Sequence, residues 1–288
     1  MCGIVGVVAQ RNVIPVLVDG LRRLEYRGYA PAGVAVQRDH DLLARGRKVG
    51  KVAALARALD EHPVRGRTGI AHTRWATHGV PSEQNAHPHV CHERVALVHN
   101  GIIENHDALR EQQHAGGYRF TSQTDTEVIV HQIHHYLDQG QDLLAAVQST
   151  VADLEGAFAL GVISKDEPGR LIAARRGSPL VIGIADDEML IASDVAALIS
   201  ETKRFVFLED GDVADITHDR LTIHDQDNNV VERSVQTSKV TLDATAKGDY
   251  EHYMLKEIFE QPRAIADTLE GRIGSNRVLE EAFGSSAG

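Results

Sequence analysis

Cys2-Gly-Ile-Val-Gly-Val-Val-Ala9, near the start of the chain, is the stretch that decides the fold. It is apolar throughout, rich in Val and Ile, and short, so it predicts a buried strand. A helix is expected next, because Asn12 can cap it, Pro15 is tolerated in its first turn and Gly28 would end it. A strand followed directly by an amphipathic helix is typical of helices packed on sheets.

Apolar residues recurring every three or four positions predict four further helices, over residues 51–60, 104–115, 126–138 and 142–154. Strands are predicted at Gly69–Thr73, Arg94–His99, Gly156–Ser164, Arg170–Ala174, Leu180–Ile184, Met189–Ala192, Arg204–Leu208, Val213–Thr217, Leu221–His224 and Val230–Val235. Connections as short as Asp186–Glu188 and Asp210–Asp212 permit antiparallel hairpins but not parallel crossovers. The pattern predicts an α+β fold, with helices from the first half covering antiparallel sheets that come mainly from the second half.

Composition and charge narrow the function classes. The 288 residues carry 30 Lys and Arg against 41 Asp and Glu, a formal charge of −11, which disfavours binding to nucleic acid. No apolar run reaches the roughly 20 residues that span a bilayer, and no signal peptide is evident. Two cysteines, Cys2 and Cys91, cannot build a disulfide framework. We expect a soluble, cytoplasmic protein without a membrane partner.

The chain changes character near residue 241. Asp243–Gly248 is polar and aperiodic, as linkers are, and Tyr253 and Phe259 belong to a predicted helix beyond it. We therefore expect one domain over residues 2–240, followed by a linker and the start of a joint over residues 241–288.

Cys2 directly follows Met1, and a residue this small lets an aminopeptidase remove Met1, which would leave Cys2 with the α-amino group. The reference pKa is about 8 for that amine and about 8.5 for a thiol, so proton transfer from sulfur to nitrogen is nearly thermoneutral. A terminal amine can thus act as the base for an adjacent nucleophile. Taken alone, however, the position favours a structural cysteine that begins a buried strand.

Three other segments favour a catalytic role of Cys2 over a structural one. Thr68-Gly-Ile-Ala-His-Thr-Arg-Trp-Ala-Thr-His-Gly79 runs from an apolar strand into a polar loop. His99-Asn-Gly-Ile-Ile-Glu-Asn105 places an Asn-Gly pair after a strand, where it predicts a tight turn with accessible amides. Ser122-Gln-Thr-Asp-Thr-Glu127 is an acidic cap before a helix.

Together with the opening Cys2-Gly-Ile-Val-Gly6 and with Leu24-Glu-Tyr-Arg-Gly-Tyr29, these segments closely resemble the glutaminase domain of the glucosamine-6-phosphate synthases, also called glutamine–fructose-6-phosphate aminotransferases. The resemblance covers the chain from Cys2 to residue 240 or so and continues through His252–Pro262. The purine-pathway branch of the same class has Arg-Tyr-Ser-Thr where this chain has Arg74-Trp-Ala-Thr77. The resemblance implies the four-layer αββα sandwich of the N-terminal nucleophile hydrolases.

The resemblance also implies a reaction. Cys2 would attack the side-chain amide carbon of L-glutamine, and the Asn100 side chain with the Gly101 N–H would form the oxyanion hole. Ammonia would leave, and water would hydrolyse the resulting γ-glutamyl thioester. No cofactor is implied.

Substrate-binding roles follow from the same resemblance. Arg74 would bind the α-carboxylate of glutamine, and Asp125 its α-ammonium. The other implied residues are Trp75, Thr77 and His78 in a closing loop, Arg27 and Gly28 beside the nucleophile, and His87 in support of the loop. Singly, each assignment has a plain structural alternative: Arg74 as a surface ion pair, Asp125 as a helix cap, Trp75 as a core aromatic. Their joint occurrence with Cys2, in family order and spacing, favours the glutaminase.

One departure from the family pattern affects the expected rate. The family usually has Tyr-Arg-Gly-Tyr-Asp-Ser-Ala-Gly, whereas this chain has Tyr26-Arg-Gly-Tyr-Ala-Pro-Ala-Gly33. Ala30 lacks a carboxylate, and Pro31 lacks a hydroxyl and a backbone donor. We predict reduced but not absent glutaminase activity. Restoring Asp at 30 and Ser at 31 should raise the rate, and an unchanged rate would contradict the prediction.

The sixteen histidines raise the question of a metal. His87-Pro-His89 with Cys91-His92, and His131 with His135, resemble ligand spacing, and zinc is the obvious candidate. No His-Glu-x-x-His or Cys-x-x-Cys pattern accompanies them, so we expect no metal.

The family protein continues into a sugar-phosphate isomerase domain that uses the ammonia to convert fructose 6-phosphate into glucosamine 6-phosphate. We expect the present chain to stop before that domain, which would be its partner; a homodimer is compatible with the resemblance. Two alternatives stay open: an N-terminal nucleophile amidase for another acyl substrate, and a catalytically impaired module for interaction or metal binding.

Overall fold

A computed structural model describes residues 2–25, 31–38, 42–74, 80–238, 250 and 253–269. The chain divides into two units, Met1–Thr241 and Leu242–Gly288. In the second unit the described element is one helix, α6, over Tyr253–Leu269, with Pro262 inside it. Among the described residues, no helix is both long enough and apolar enough to cross a membrane.

The first unit contains five α-helices among its described residues. They are α1 (Ile14–Leu24), α2 (Val52–Glu61), α3 (His106–Ala115), α4 (Glu127–Asp138) and α5 (Leu143–Asp153). A 3₁₀ turn spans Val195–Ala197.

The strands of the first unit are all paired antiparallel in two sheets. They are β1 (Gly3–Ala9), β2 (Ala32–Arg38), β3 (Leu42–Lys48), β4 (Thr68–Thr73), β5 (His89–Cys91), β6 (Val95–Ile103), β7 (Gly156–Ser164), β8 (Leu171–Arg176), β9 (Val181–Ala185), β10 (Glu188–Ala192), β11 (Arg204–Phe207), β12 (Val213–Ile216), β13 (Leu221–His224), β14 (Val230–Val231) and β15 (Val235–Thr237). The eight-stranded sheet has the order β15-β11-β9-β10-β1-β4-β2-β3, and the seven-stranded sheet β14-β13-β12-β8-β7-β6-β5.

The two sheets pack against each other, and helices cover their outer faces. Along β1, Val5 and Val7 face a core shared with α1 and α2, whereas Ile4 and Val8 face a second core between the sheets. A third core joins the outer face of the other sheet to α3, α4 and α5. Because β1 is buried on both faces, its sequence is apolar throughout rather than alternating. The layer order is helix, sheet, sheet, helix, which confirms the predicted α+β class and the αββα sandwich.

The five predicted helices of this unit are all present, but two local expectations are wrong. Asn12 does not cap α1: its side chain accepts a hydrogen bond from the Gly66 N–H at 3.3 Å, and the N-cap is Val13. The short connection at Asp210–Asp212 does not close a hairpin, since β11 lies in one sheet and β12 in the other. The two sheets are adjacent layers with a common core between them, so a connection of a few residues can pass from one sheet to the other.

The strands β2, β3 and β5 were not predicted from the sequence. β2 is rich in Ala and Gly, which have weak strand propensity, and β3 carries Arg45, Arg47 and Lys48 because it is an edge strand. β5 has only three residues and also lies at an edge. The first half therefore contributes more sheet than its residue pattern indicates.

Candidate active site

Cys2 lies immediately before β1, at the end where β1 meets β4. Gly3 pairs with Thr73, so the residue that follows β4, Arg74, is brought alongside Cys2. Cys2 is half-buried and not part of a disulfide. The central position of β1, between β4 and β10, holds this end of the strand in a rigid sheet.

Asn100 connects the second sheet to Cys2. Its side-chain Nδ2 donates a hydrogen bond to the Cys2 carbonyl oxygen at 3.2 Å. The predicted turn at Asn100-Gly101 is wrong: both residues lie inside β6, where Asn100 pairs with Ala159 of β7. The Asn-Gly pair is therefore held by a strand ladder rather than by a flexible loop.

Gly101 accommodates a backbone conformation that other residues avoid. Its φ is +135°, and a Cβ at this position would lie 2.0 Å from the Ala157 carbonyl oxygen. Glycine is thus required by both the dihedral angle and the close approach of β7.

His72, on β4, orients the Asn100 side chain. Its Nε2 lies 3.0 Å from the Asn100 Oδ1 and 3.0 Å from the His99 carbonyl oxygen. Both neighbours are acceptors, so Nε2 carries the hydrogen and Asn100 must present Oδ1 to His72 and Nδ2 to Cys2. Burial lowers the pKa of His72 to about 3, which keeps the ring neutral. The sequence analysis did not single out His72, although a histidine inside an apolar strand, two residues before Arg74, is a signal that could have found it.

Arg74 and Asp125 lie near Cys2. Burial lowers the pKa of the Arg74 guanidinium, whereas the charges of Cys2 and Asp125 act to raise it, so the three groups share one electrostatic environment. The Arg74 backbone N–H donates to the Pro31 carbonyl oxygen at 2.9 Å, and Nη1 lies 3.4 Å from the Val80 carbonyl oxygen.

Asp125 is not the cap of α4. Its Oδ2 accepts a hydrogen bond from the Ile103 N–H at 2.9 Å, at the end of β6. The N-cap is Thr126, which makes no side-chain capping bond, and the Glu127 carboxylate instead accepts bonds from the N–H groups of Thr121 and Ser122, before the helix, at 2.9 and 2.6 Å. Asp125 therefore ties the strand that carries Asn100 to the start of α4.

His87 packs against His72. The two rings stack with centroids 4.1 Å apart, and the His87 Nδ1 accepts a hydrogen bond from the His99 N–H at 3.3 Å. Burial is the main cause that lowers the pKa of His72, His87, His89 and His99 alike. The cluster is a neutral, hydrogen-bonded support for β6.

The other predicted site residues, Arg27, Gly28, Trp75, Thr77 and His78, lie outside the described residues, as does Ala30. Among the residues that are described, one group could hold a metal ion: Cys91, His92 and His134. That group is not built from the residues around Cys2.

A family model for the glutamine amidotransferase domain matches residues 72–200. The glutamine–fructose-6-phosphate aminotransferase [isomerizing] of Shewanella oneidensis is 57% identical over 287 residues, covering 100% of this chain and 47% of the relative. That of Pseudomonas aeruginosa is 54% identical over 287 residues, with the same coverage of 100% and 47%. The chain thus spans about half the length of the curated relatives it matches.

Solved structures show the same fold. Glutamine phosphoribosylpyrophosphate amidotransferase from B. subtilis, complexed with ADP and GMP, superposes with a TM-score of 0.69 at 24% identity, over 80% of this chain and 50% of that one. A glutamine aminotransferase class-II domain protein from Silicibacter pomeroyi gives a TM-score of 0.54 at 16% identity, over 78% of this chain and 99% of that one. Residues 72–200 thus match a glutamine amidotransferase domain, and along its whole length this chain is similar to about half the length of the glutamine–fructose-6-phosphate aminotransferases, at an identity far above what the shared fold requires.

Proposed function

We propose that this chain hydrolyses L-glutamine to glutamate and ammonia through a thioester on Cys2. The observation that carries the proposal is the Asn100 side-chain amide, held by His72 and donating to the residue that would be the nucleophile. A preorganised donor beside a cysteine is what an acyl-transfer reaction requires.

The reaction has two steps. After removal of Met1, the Cys2 amine takes the thiol proton and the thiolate attacks the glutamine amide carbon. The oxyanion that forms is stabilised by the Asn100 Nδ2 and the Gly101 N–H, and each donor of this kind contributes about 3 kcal/mol in the transition state. The C–N bond then breaks, and the departing nitrogen takes the proton from the terminal ammonium and leaves as ammonia. Water adds to the γ-glutamyl thioester in the same way, releasing glutamate and the Cys2 thiol.

His72 is proposed as a positioning residue in this step. Its Nε2–H donates to the Asn100 Oδ1 and so permits only one orientation of that amide, because a flipped amide would place its own N–H group against the His72 N–H. The neutral ring adds no positive charge that would compete with the oxyanion donors.

Substrate recognition is proposed for Arg74 and Asp125. A buried guanidinium presents a planar fork to the α-carboxylate of glutamine, and a carboxylate beside it suits the α-ammonium. Arg27, Gly28, Trp75, Thr77, His78 and His87 are proposed to complete the binding site or its closing loop, on the family resemblance.

The name of the relatives, glutamine–fructose-6-phosphate aminotransferase, points to a larger reaction. We propose that residues 2–240 are the glutaminase domain and that residues 241–288 lead to a sugar-phosphate isomerase domain. There the ammonia would be used to form glucosamine 6-phosphate from fructose 6-phosphate. The proposal includes a cytoplasmic location and a dimer formed mainly through the isomerase half.

The test is release of glutamate from glutamine by the chain and by a Cys2→Ala variant, with the N-terminus checked by mass spectrometry. We expect the wild type to release glutamate and to form one covalent adduct at Cys2 with a glutamine-like electrophile, and the variant to do neither. Inhibition by free glutamate distinguishes this enzyme from an amidase for another acyl substrate. Glutamate release that survives Cys2→Ala, or processed protein that neither reacts nor turns over, would refute the proposal.

A further inference from the structure

Three metal-ligating side chains meet at the end of the second sheet that is remote from Asn100 along β6. Cys91 ends β5, His92 begins the turn to β6, and His134 lies on α4. One ligand atom from each lies within 4.8 Å of the other two. Cys91 and His134 are buried, while His92 is exposed, so the group can be reached from solvent.

The turn that carries His92 is unusual for its composition. The Arg94 N–H donates to the Cys91 carbonyl oxygen at 2.9 Å, and the two residues between them, His92 and Glu93, have φ of 48° and 53°. Two-residue turns of this kind favour Asn-Gly, because side chains with a Cβ are strained at positive φ. The turn nonetheless holds the His92 ring against the His134 ring, with centroids 4.4 Å apart.

The surroundings of the three side chains are those of a metal site. The His134 Nδ1 lies 2.9 Å from the Tyr118 hydroxyl and 3.5 Å from the Asp138 Oδ2, which leaves Nε2 as the ligand atom. The Cys91 Sγ lies 3.1 Å from the His131 Nδ1, which can donate to a thiolate. Hydrogen bonds of this type orient ligating histidines and thiolates in metalloproteins.

The local charge also favours a cation. Two carboxylates lie near the three side chains: the Asp138 Oδ2 is 3.5 Å from the His134 Nδ1, and the Glu127 Oε1 is 3.8 Å from the His131 Nε2. The negative charge of these carboxylates would stabilise a divalent ion that replaces the Cys91 thiol proton. Arg94 offsets this potential in part, since it pairs with the Asp138 Oδ1 at 2.6 Å, but the Oδ2 still faces His134.

We propose that Cys91, His92 and His134 bind one Zn²⁺ ion, with water in the fourth position. A thiolate with two imidazoles is a ligand set that zinc prefers, at Zn–S and Zn–N distances of about 2.3 and 2.0 Å. Tetrahedral ligands at those distances lie about 3.5 Å apart, so the widest pair must close by about 1 Å, which rotation of the exposed His92 ring can supply. On binding, the S–H bond breaks, the proton leaves to solvent, and the Zn–S bond forms.

The ion would join two layers of the sandwich. β5 is the edge strand of its sheet, and α4 belongs to the helix layer on that sheet's outer face. A zinc ion shared by β5, its turn and α4 would cross-link them and raise the thermal stability of the native state by mass action.

The experiment is titration of the chain with Co²⁺, which adopts the zinc geometry and shows a thiolate-to-metal charge-transfer band when sulfur is a ligand. We expect one ion per chain, bound at metal concentrations comparable to that of the protein, and displacement by Zn²⁺. Cys91→Ser should abolish the band and weaken binding by at least about 100-fold, and Asp138→Asn should weaken it by about 10- to 100-fold. Cys2→Ala and His135→Gln are the matched controls, a second thiol and an exposed histidine on the same helix, and both should leave the band unchanged.

His92→Asn guards against misfolding, because Asn tolerates positive φ and the removed ring is exposed. It should fold as the wild type does, lose tight metal binding, and lose the increase in Tm that Zn²⁺ gives the wild type. Absence of a charge-transfer band in the wild type, a band that persists in Cys91→Ser, or binding only at a large excess of metal would overturn the proposal. Glutaminase activity is not part of these readouts, so their failure would leave the function of Cys2 unaffected.

Discussion

At Asn100, one side-chain amide makes two contacts of opposite sense. Oδ1 accepts from the His72 Nε2 at 3.0 Å, and Nδ2 donates to the Cys2 carbonyl oxygen at 3.2 Å. An amide can rotate by half a turn at little cost unless its partners differ, and here they do. Asn100, which bonds to the proposed nucleophile Cys2, is thereby oriented by a neutral histidine from another strand.

His72→Leu should lower kcat for glutamine by roughly 100-fold with little change in KM, because the oxyanion donor loses its orientation while the substrate pocket stays intact. His72→Gln keeps an N–H near the same position and should recover most of the loss. The measurement is steady-state kinetics, together with the rate at which a simple alkylating agent modifies Cys2. A purely structural role would slow alkylation and turnover together, and that result would contradict the prediction.

At the scale of elements, the site depends on where β6 ends and α4 begins. Asp125 accepts the Ile103 N–H at 2.9 Å, so the last residue of the strand and the residues before the helix are held together. Two further bonds link the adjacent loops: the Asn85 Nδ2 lies 3.1 Å from the Gln123 Oε1, and the Gln123 N–H donates to the Asn85 Oδ1 at 2.9 Å. The position of Asp125, the proposed partner of the substrate ammonium, is thus set by the bonded ends of β6 and α4 and by the adjacent loops.

Asp125→Asn should raise KM for glutamine by about 10- to 100-fold, since a charged partner for the substrate ammonium is lost. The new side chain can still accept the Ile103 N–H, so the Tm should change little. Asp138→Asn, the same substitution at the far end of α4, serves as the control and should leave KM unchanged. If the Asp125→Asn enzyme had the wild-type KM, the Asp125 carboxylate would only hold the end of β6 and would not bind the substrate.

At the scale of the whole molecule, the described members of the three cores all lie between Ile4 and Ile223. A chain that ends after Thr241 should therefore hydrolyse glutamine as the full chain does. Its Tm should shift by less than about 4 °C, which for a domain of this size corresponds to about 1 kcal/mol. A chain that ends after Ser200 lacks β11 to β15 and should not fold. Loss of activity on truncation at 241 would contradict the proposed domain boundary.

Stability should fall as the pH is lowered below neutrality, because the cluster around His72 is buried in the neutral form. Burial lowers the pKa of His72 to about 3, and it also lowers the pKa of His87, His89 and His99 in the same cluster. Outside the cluster, beside Cys91, burial lowers the pKa of His131 to about 4. Unfolded histidines take up protons near pH 6.5, so below that pH the unfolded state binds more protons than the native state. Stability is full above about pH 6.5 and falls by up to about 1.4 kcal/mol per histidine for each pH unit below it, until the native pKa is reached.

Urea unfolding at pH 7.5 and 5.5 measures this dependence. His72→Gln should reduce the loss of unfolding free energy between the two pH values by the contribution of one histidine. His135→Gln, at an exposed site, should not change that loss. Equal unfolding free energies at pH 7.5 and 5.5 would mean that the cluster does not remain neutral.

Much of the architecture could be predicted from residue patterns. The helices follow from apolar spacing, and the all-apolar β1 follows from burial on both faces. The strands β2 and β3 could not be predicted, because Ala, Gly and Arg residues give little local preference for a strand. β3 is held in the sheet by β2, which in turn pairs with β4, a strand that lies beyond α2 in the chain.

The sequence by itself predicted Cys2 as the nucleophile, the resemblance to the glutamine amidotransferases and the α+β class, because a cysteine at position 2 and short motifs in fixed order are local properties of the chain. Only the tertiary structure decided that Asn100 and Gly101 lie in a strand, that Asp125 binds the end of that strand, and that His72 orients Asn100. Those outcomes depend on contacts between residues far apart in sequence, and no local pattern contains the distances that bring β4, β6 and the start of β1 together.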